Sequence, residues 1–138
     1  MTLRTALNSR LWKIVFFIAG LYTAVGVLPG ILNPEQGLLD FTNQIIEDWN
    51  TIYFFRSLWI TVLVFGIGFF IVALNPAKHI GIVIMGFLGK LLFASNVLIQ
   101  YSSEKVSQMA MTAAVIDLIF VLVFGIFIFK YYRYQESK

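Results

Sequence analysis

The chain has 138 residues, of which 59% are hydrophobic and only 12% are charged. A soluble domain has about 25% charged residues, and a soluble fold of this size could not hide so much apolar surface. We therefore expect an integral membrane protein. The lack of cysteine excludes disulfides, thiol catalysis and iron–sulfur clusters, and the single histidine, His79, excludes a cluster of histidine ligands. The net charge of +3 is small and lies mainly at the ends, so nucleic-acid binding is not indicated.

Four segments are long and apolar enough to cross a bilayer, whose core requires about 20 apolar residues per helix. They span about residues 14–32, 52–74, 80–100 and 109–129. Their polarity does not alternate as it does in a membrane β-strand, so helices are predicted. The sequence thus predicts an all-α integral membrane protein, with residues 1–138 forming a single up-down bundle of four transmembrane helices.

The first span also has features of a secretory signal peptide. Arg10 and Lys13 precede an apolar stretch, and Ala24 and Gly26 form a poor cleavage site. The apolar run continues past that point to Leu32. We therefore expect this segment to be retained as a transmembrane helix.

The distribution of Lys and Arg predicts the orientation of the spans, because loops rich in these residues stay in the cytoplasm. The first loop, 33–51, has four acidic residues and no Lys or Arg, and the third loop is balanced by Glu104 and Lys105. Both termini and the second loop are therefore predicted to be cytoplasmic. They carry the remaining exposed cations, Arg4, Arg10, Lys13, Lys78, Lys130, Arg133 and Lys138.

The first loop is the only long one, and its apolar residues recur every three or four positions, at Leu38, Phe41, Ile45 and Trp49. This spacing predicts a short amphipathic helix that lies on the outer surface of the membrane. A capped linker without a function of its own is the alternative interpretation.

Small and polar residues mark the buried faces of membrane helices, since these helices associate through close packing and hydrogen bonds. Gly26 and Gly30 form a small-residue motif of this kind in the first span. We expect the polar side chains on inward faces to meet in the outer half of the bundle, within apolar walls from Trp59, Leu63, Phe93 and Phe120. These polar residues are Tyr22, Thr23, Arg56, Lys90, Asn96, Gln100 and Asp117.

Three of these residues are ionisable, and each costs about 2.5–3.5 kcal/mol at the centre of a membrane helix. At 1.5 Å per residue, Arg56 lies roughly 8 Å, Asp117 roughly 12 Å and Lys90 roughly 15 Å from the outer end of its span. Asp117 is the only acid at this depth, so we expect it to pair with Lys90, with Arg56 nearby and one positive charge in surplus. A structural ion pair, a ligand-binding or proton-handling site, and a contact with another subunit are all compatible with this pattern.

The layout of the charged residues resembles a known family. Arg56 near the start of the second span, Gly66-x-Gly68 after it, Lys90 in the third span and Asp117 in the fourth are similar to the DoxX-like superfamily of small four-helix membrane proteins. The resemblance covers most of the chain in layout. It implies a bacterial inner-membrane protein, linked to redox or quinone metabolism or to the assembly of other membrane proteins. It transfers no catalytic residue.

An apolar lining with a few convergent polar groups is typical of small-molecule sites. The sequence therefore favours a protein that binds a lipophilic molecule (a quinone, a fatty acid or a lipid) or that assists a membrane partner complex. A proton-coupled carrier and a purely structural subunit are the alternatives. Carriers usually have interrupted helices in both halves of the chain, and only one break, at Pro29-Gly30, is found here.

Hydrolytic chemistry is not indicated. The sequence offers no Ser/His/Asp set in one compartment, no second carboxylate beside Asp117, and no plausible metal cage. We predict no catalytic residue, metal or firmly bound cofactor. The expected partners are the lipid bilayer, a lipophilic ligand, and either further copies of the chain or a membrane partner protein.

Overall fold

The chain folds into helices, which the computed structural model describes over residues 6–101, 103 and 105–135. The predictions for Arg4, Glu104 and Lys138 concern residues outside this part. The described part contains no strand, which confirms the all-α prediction. The helices are α1 (Arg10–Gly26), α2 (Leu28–Leu32), α3 (Pro34–Thr42), α4 (Trp49–Leu74), α5 (Ile80–Tyr101) and α6 (Gln108–Gln135).

Four segments are long and apolar enough to cross a membrane, as predicted, and they are Arg10–Leu32, Trp49–Leu74, Ile80–Tyr101 and Gln108–Gln135. The outer surface of these helices is apolar as well. Large hydrophobic side chains such as Leu32, Leu74 and Leu92 are largely exposed. Soluble monomers rarely expose extensive apolar surface. The fold therefore has the properties of a multi-pass membrane protein.

The long helices pack mainly as two pairs, α1 with α4 and α5 with α6. Small residues allow α1 and α4 to approach closely. A Cβ atom on Gly66 would lie 3.1 Å from the backbone nitrogen of Ala24, and one on Gly20 would lie 3.1 Å from the carbonyl oxygen of Gly66. Gly26 makes no such contact, since nothing lies within 4 Å of the position of its Cβ. Of the predicted motif, Gly30 is buried against Trp59 of α4, whereas the close contact between the backbones of α1 and α4 is made at Gly20, Ala24 and Gly66.

Aromatic side chains fill the space between the two helix pairs. The ring of Phe16 on α1 lies 5.2 Å from that of Phe124 and 5.1 Å from that of Phe127, both on α6. Phe69 on α4 lies 5.2 Å from Phe124. These four side chains are buried. A second buried cluster, of Ala94, Val97, Ala110 and Ala114, lies further along α5 and α6. Lys90 and Asp117 lie between these two clusters along α5 and α6.

Pro29 interrupts the first span, because it has no N–H to donate to the carbonyl oxygen of Val25 four residues earlier. Accordingly, α1 ends at Gly26 and α2 begins at Leu28. The following residue, Gly30, has the indole ring of Trp59 packed against it, and a Cβ there would lie 2.3 Å from Cδ1 of that ring. This contact fixes Trp59 of α4 next to α2.

Helix α3 covers one end of the bundle. Its Phe41 ring lies 5.3 Å from the ring of Trp59 and 6.2 Å from that of Phe93. Ser107 ties α3 to the start of α6, since its hydroxyl donates to the carbonyl of Asp40 at 2.5 Å and its N–H donates to the carbonyl of Phe41 at 2.8 Å. Helix α3 is therefore packed onto the bundle.

The amphipathic helix is shorter than predicted. It ends at Thr42 and is capped by Asn43, which adopts the left-handed conformation with φ of 56°. Leu38 is buried and Phe41 is half-buried, but Ile45 and Trp49 lie beyond the end of α3 and are exposed. The regular spacing of these four residues did not reveal the turn, which requires only a residue such as Asn that tolerates a positive φ.

Candidate functional site

An ion pair between α5 and α6 forms the centre of the site. Nζ of Lys90 donates a hydrogen bond to Oδ1 of Asp117 at 2.5 Å, and both residues are only 8% exposed. Small residues flank the pair on both helices: Gly86 and Ala94 lie one turn before and after Lys90, and Ala114 lies one turn before Asp117. Pairing is what allows both charges to stay inside an apolar bundle.

Three aromatic rings surround the ammonium group of Lys90. Its Nζ lies 5.2 Å from the ring centroid of Tyr22, 5.1 Å from that of Phe120 and 6.0 Å from that of Phe69. The π-electrons of such rings attract a nearby cation. These rings come from α1, α6 and α4, so all four long helices contribute to the surroundings of the pair.

Two of these rings are held by specific contacts. The hydroxyl of Tyr22 donates to the carbonyl of Ala113 at 3.5 Å, which links α1 to α6. Phe69 packs directly on Gly86, where a Cβ would lie 2.4 Å from Cε1 of the ring. The position of the Phe69 ring thus depends on the absence of a side chain at residue 86.

Two apolar cavities adjoin the ion pair. The smaller has a volume of about 140 Å³ and reaches between α4 and α5, where Phe65 and Gly89 help to line it. The larger has a volume of about 370 Å³ and reaches between α1 and α6. The two cavities meet around the ion pair, because six residues line both. These six are Thr23, Trp59, Val62, Lys90, Phe93 and Asp117.

The larger cavity reaches the outer surface of the bundle. Gly26, Met109 and Thr112 line it, and all three residues are exposed. Phe41 of α3 covers the same cavity from the end of the bundle. The opening therefore lies on the side of the bundle, between α1 and α6.

Two residues that line these cavities each have a polar side-chain atom without a hydrogen-bond partner among the described residues. The atoms are Oγ1 of Thr23 and Nε1 of Trp59, and both atoms are buried. A buried donor without a partner costs about 1–3 kcal/mol. Because both residues line both cavities, each is a candidate to bind a ligand that carries a hydrogen-bond acceptor.

The structure thus brings together four of the polar residues singled out in the sequence, namely Tyr22, Thr23, Lys90 and Asp117. Of the predicted apolar walls, Trp59 and Phe93 line both cavities and Phe120 packs beside Lys90. Leu63 lines neither cavity.

The other three polar residues lie outside this group, and their predicted place in it is corrected. Arg56 and Asn96 are exposed, and Gln100 is half-buried near the end of α5. At 100° per residue, Arg56 is turned about 120° from Val62, and Asn96 is turned about 120° from Lys90. The inward-facing surfaces of α4 and α5 are therefore narrower than the sequence predicts. Without Arg56, the predicted positive surplus is absent, and the site contains one cation and one anion.

Sequence reasoning missed Phe69, Val62 and Phe41 as parts of the site. Nothing distinguishes Phe69 from the other phenylalanines in the sequence, because its role depends on Gly86 of another helix. The unpaired N–H of Trp59 was also missed, since the residue was assigned only an apolar role. The described residues contain no group of three His, Asp or Glu side chains that could hold a metal ion.

The chain is thus a small protein with four helices that can span a membrane, and a buried ion pair lies beside an apolar cavity within it. No family model, no curated protein and no solved structure matches the chain.

Proposed function

We propose that the protein binds an uncharged lipophilic molecule that carries a hydrogen-bond acceptor, such as a carbonyl or ester oxygen, beside Lys90 and Asp117. One observation carries this proposal: the unpartnered hydroxyl of Thr23 and N–H of Trp59 belong to residues that line an otherwise apolar cavity. A ligand oxygen would supply the missing acceptor. The larger cavity, at about 370 Å³, is within the usual size range for small-molecule sites.

The charge balance of the site favours an uncharged ligand. Lys90 is already neutralised by Asp117 at 2.5 Å, and Arg56 is outside the site. A fatty-acid carboxylate would therefore add an unpaired negative charge to an apolar interior, which is costly. Among the expected ligands, a quinone or a lipid ester suits this site better than a fatty acid does.

The side opening between α1 and α6 supports entry from the bilayer. Gly26 and Thr112 at this opening are exposed, and in a membrane such exposed positions face lipid. A lipophilic molecule dissolved in the bilayer would reach the cavity without crossing water. The hydrogen bond from Tyr22 to Ala113 crosses from α1 to α6 beside the same cavity.

The wider assignment is also a proposal. We infer an up-down bundle in a bacterial inner membrane, with both termini cytoplasmic. The Lys and Arg residues at both ends of the chain and in the second loop support this orientation. The layout of Arg56, Gly66, Lys90 and Asp117 supports membership of the DoxX-like superfamily.

A matched pair of probes tests the ligand class. Methyl hexadecanoate and hexadecanoate have the same acyl chain, but only the acid is charged at alkaline pH. We expect the purified protein to bind the ester more tightly. Thr23→Val keeps the shape of the side chain but removes its hydroxyl, and should weaken ester binding roughly five- to tenfold through one lost hydrogen bond.

A second pair of variants tests the location. Val62 lines both cavities, whereas Val64 on the same helix is 63% exposed and lines neither. Val62→Phe should reduce ester binding and Val64→Phe should not. Tighter binding of the acid, or equal effects of the two variants, would overturn the proposal.

A further inference from the structure

A separate groove lies on the outside of the α1–α4 pair. It has a volume of about 500 Å³ and shares no residue with the two cavities beside the ion pair. One face of each helix forms it, with Arg10, Lys13 and Phe17 from α1 and Phe70, Ile71 and Leu74 from α4.

The floor of this groove is apolar. The rings of Phe17 and Phe70 meet across the two helices with their centroids 5.4 Å apart. Ile71 and Leu74 are 42% and 77% exposed, so the floor is not covered by other parts of the described chain. From Ile67 to Leu74 it extends roughly 10 Å along α4, which is long enough to hold the upper part of an acyl chain.

Two cations line one end of the groove. Arg10 and Lys13 are three residues apart, so their side chains share a face of α1. Both residues are exposed, and neither forms an ion pair with the described residues. No Asp or Glu lines the groove. Its polar end is therefore positively charged and not neutralised by the described part of the protein.

We propose that this groove binds an anionic glycerophospholipid. The phosphate group lies between Arg10 and Lys13, and one acyl chain lies along Phe17, Ile71 and Leu74. The apolar floor matches the acyl chain of a lipid. The two unpaired cations at its end match a headgroup with a net negative charge. A second copy of the chain is a poorer occupant, since a two-fold interface would bring the same cations together.

Native mass spectrometry with a defined lipid mixture tests this site. The probe is phosphatidylglycerol, in competition with zwitterionic phosphatidylcholine of the same acyl chains. We expect Arg10→Gln/Lys13→Gln to reduce the preference for phosphatidylglycerol by roughly 25-fold, or about fivefold for each cation. Ile71→Trp should reduce lipid binding as well, because it fills the groove and leaves the cations in place.

The matched control is Lys78→Gln/Arg133→Gln. It removes the same charge from exposed positions that do not line the groove, and it should leave the preference unchanged. An equal loss in both double variants would show that net charge alone attracts the lipid. A wild-type dimer that excludes phosphatidylglycerol and dissociates in Ile71→Trp would assign the groove to a second copy. Either result overturns the proposal, and neither bears on the cavity beside Lys90.

Discussion

The side chain of Lys90 on α5 donates to Asp117 on α6 at 2.5 Å, at the place where two apolar cavities meet. Rings from Tyr22, Phe69 and Phe120 surround the cation. The pair contributes no net charge and yet leaves two neighbouring donors without partners. These features support the proposed binding of an uncharged molecule with an acceptor oxygen.

Removing one member of the pair should be more damaging than removing both. Lys90→Met leaves the Asp117 carboxylate buried without a partner, and we expect a loss of about 3–5 kcal/mol in the free energy of unfolding. The measurement is unfolding in mixed micelles with increasing denaturing detergent.

The control for that prediction is Lys90→Met/Asp117→Leu, which replaces both charges by apolar groups of similar size. Most of the lost stability should return. If the double variant is as unstable as the single one, the pair does more than compensate two buried charges.

The aromatic wall should respond to a single methyl group at residue 86. A Cβ on Gly86 would lie 2.4 Å from the buried ring of Phe69, so Gly86→Ala must displace that ring and should cost about 1–3 kcal/mol. Gly89 on the same helix has nothing within 4 Å of the position of its Cβ. Gly89→Ala should therefore stabilise by about 0.5–1 kcal/mol. Similar effects of the two variants on the unfolding transition would contradict the packing described for Phe69.

The start of α4 should weaken in acid. Asp48 caps this helix, with its carboxylate accepting from the hydroxyl of Thr51 at 2.7 Å and from the N–H of Thr51 at 2.8 Å. These hydrogen bonds lower the pKa of Asp48 below its usual value. A lowered pKa in the folded state means that the cap contributes fully above the ordinary pKa of Asp and is lost as the pH falls through the lowered value.

Hydrogen exchange of the amides near Thr51 measures this effect. Their protection should fall in acid in the wild type. In Asp48→Asn it should be independent of pH over the same range, because the amide oxygen still accepts hydrogen bonds but does not titrate. A wild type with no change in protection across the acid range would contradict the role of the cap.

The orientation can be tested with single cysteines, because the chain has no native cysteine. Cysteines placed within 1–10, 75–79 or 131–138 should react only with reagents that reach the cytoplasm. Cysteines within 34–50 or 102–107 should react with an impermeant reagent from outside. A C-terminus labelled from outside in intact cells would reverse the proposed topology.

The four apolar helices could be predicted from the sequence because length and hydropathy alone determine them. The Lys90–Asp117 contact was also expected, since two opposite charges at similar depth in lipid have few other partners. The helix break at Pro29 could also be predicted, because proline has no backbone N–H and so interrupts a helix whatever its neighbours are.

What the sequence did not reveal depends on contacts between helices. The sequence predicts inward positions for Arg56 and Asn96, because the residues of a single helix do not define how wide its buried face is. The structure limits the inward face to positions such as the half-buried Val62 and the buried Lys90. The contact of Phe69 with Gly86 and that of Trp59 with Gly30 involve pairs far apart in sequence, so no local pattern predicts them.

Native mass spectrometry of protein extracted from its own membranes in mild detergent tests the central claim most directly. We expect one uncharged lipophilic molecule bound per chain, and its loss from a Thr23→Val/Trp59→Phe variant that folds as well as the wild type. A cavity that carries no small molecule in any mild detergent, or a bound carboxylate that the double variant retains, would contradict the account.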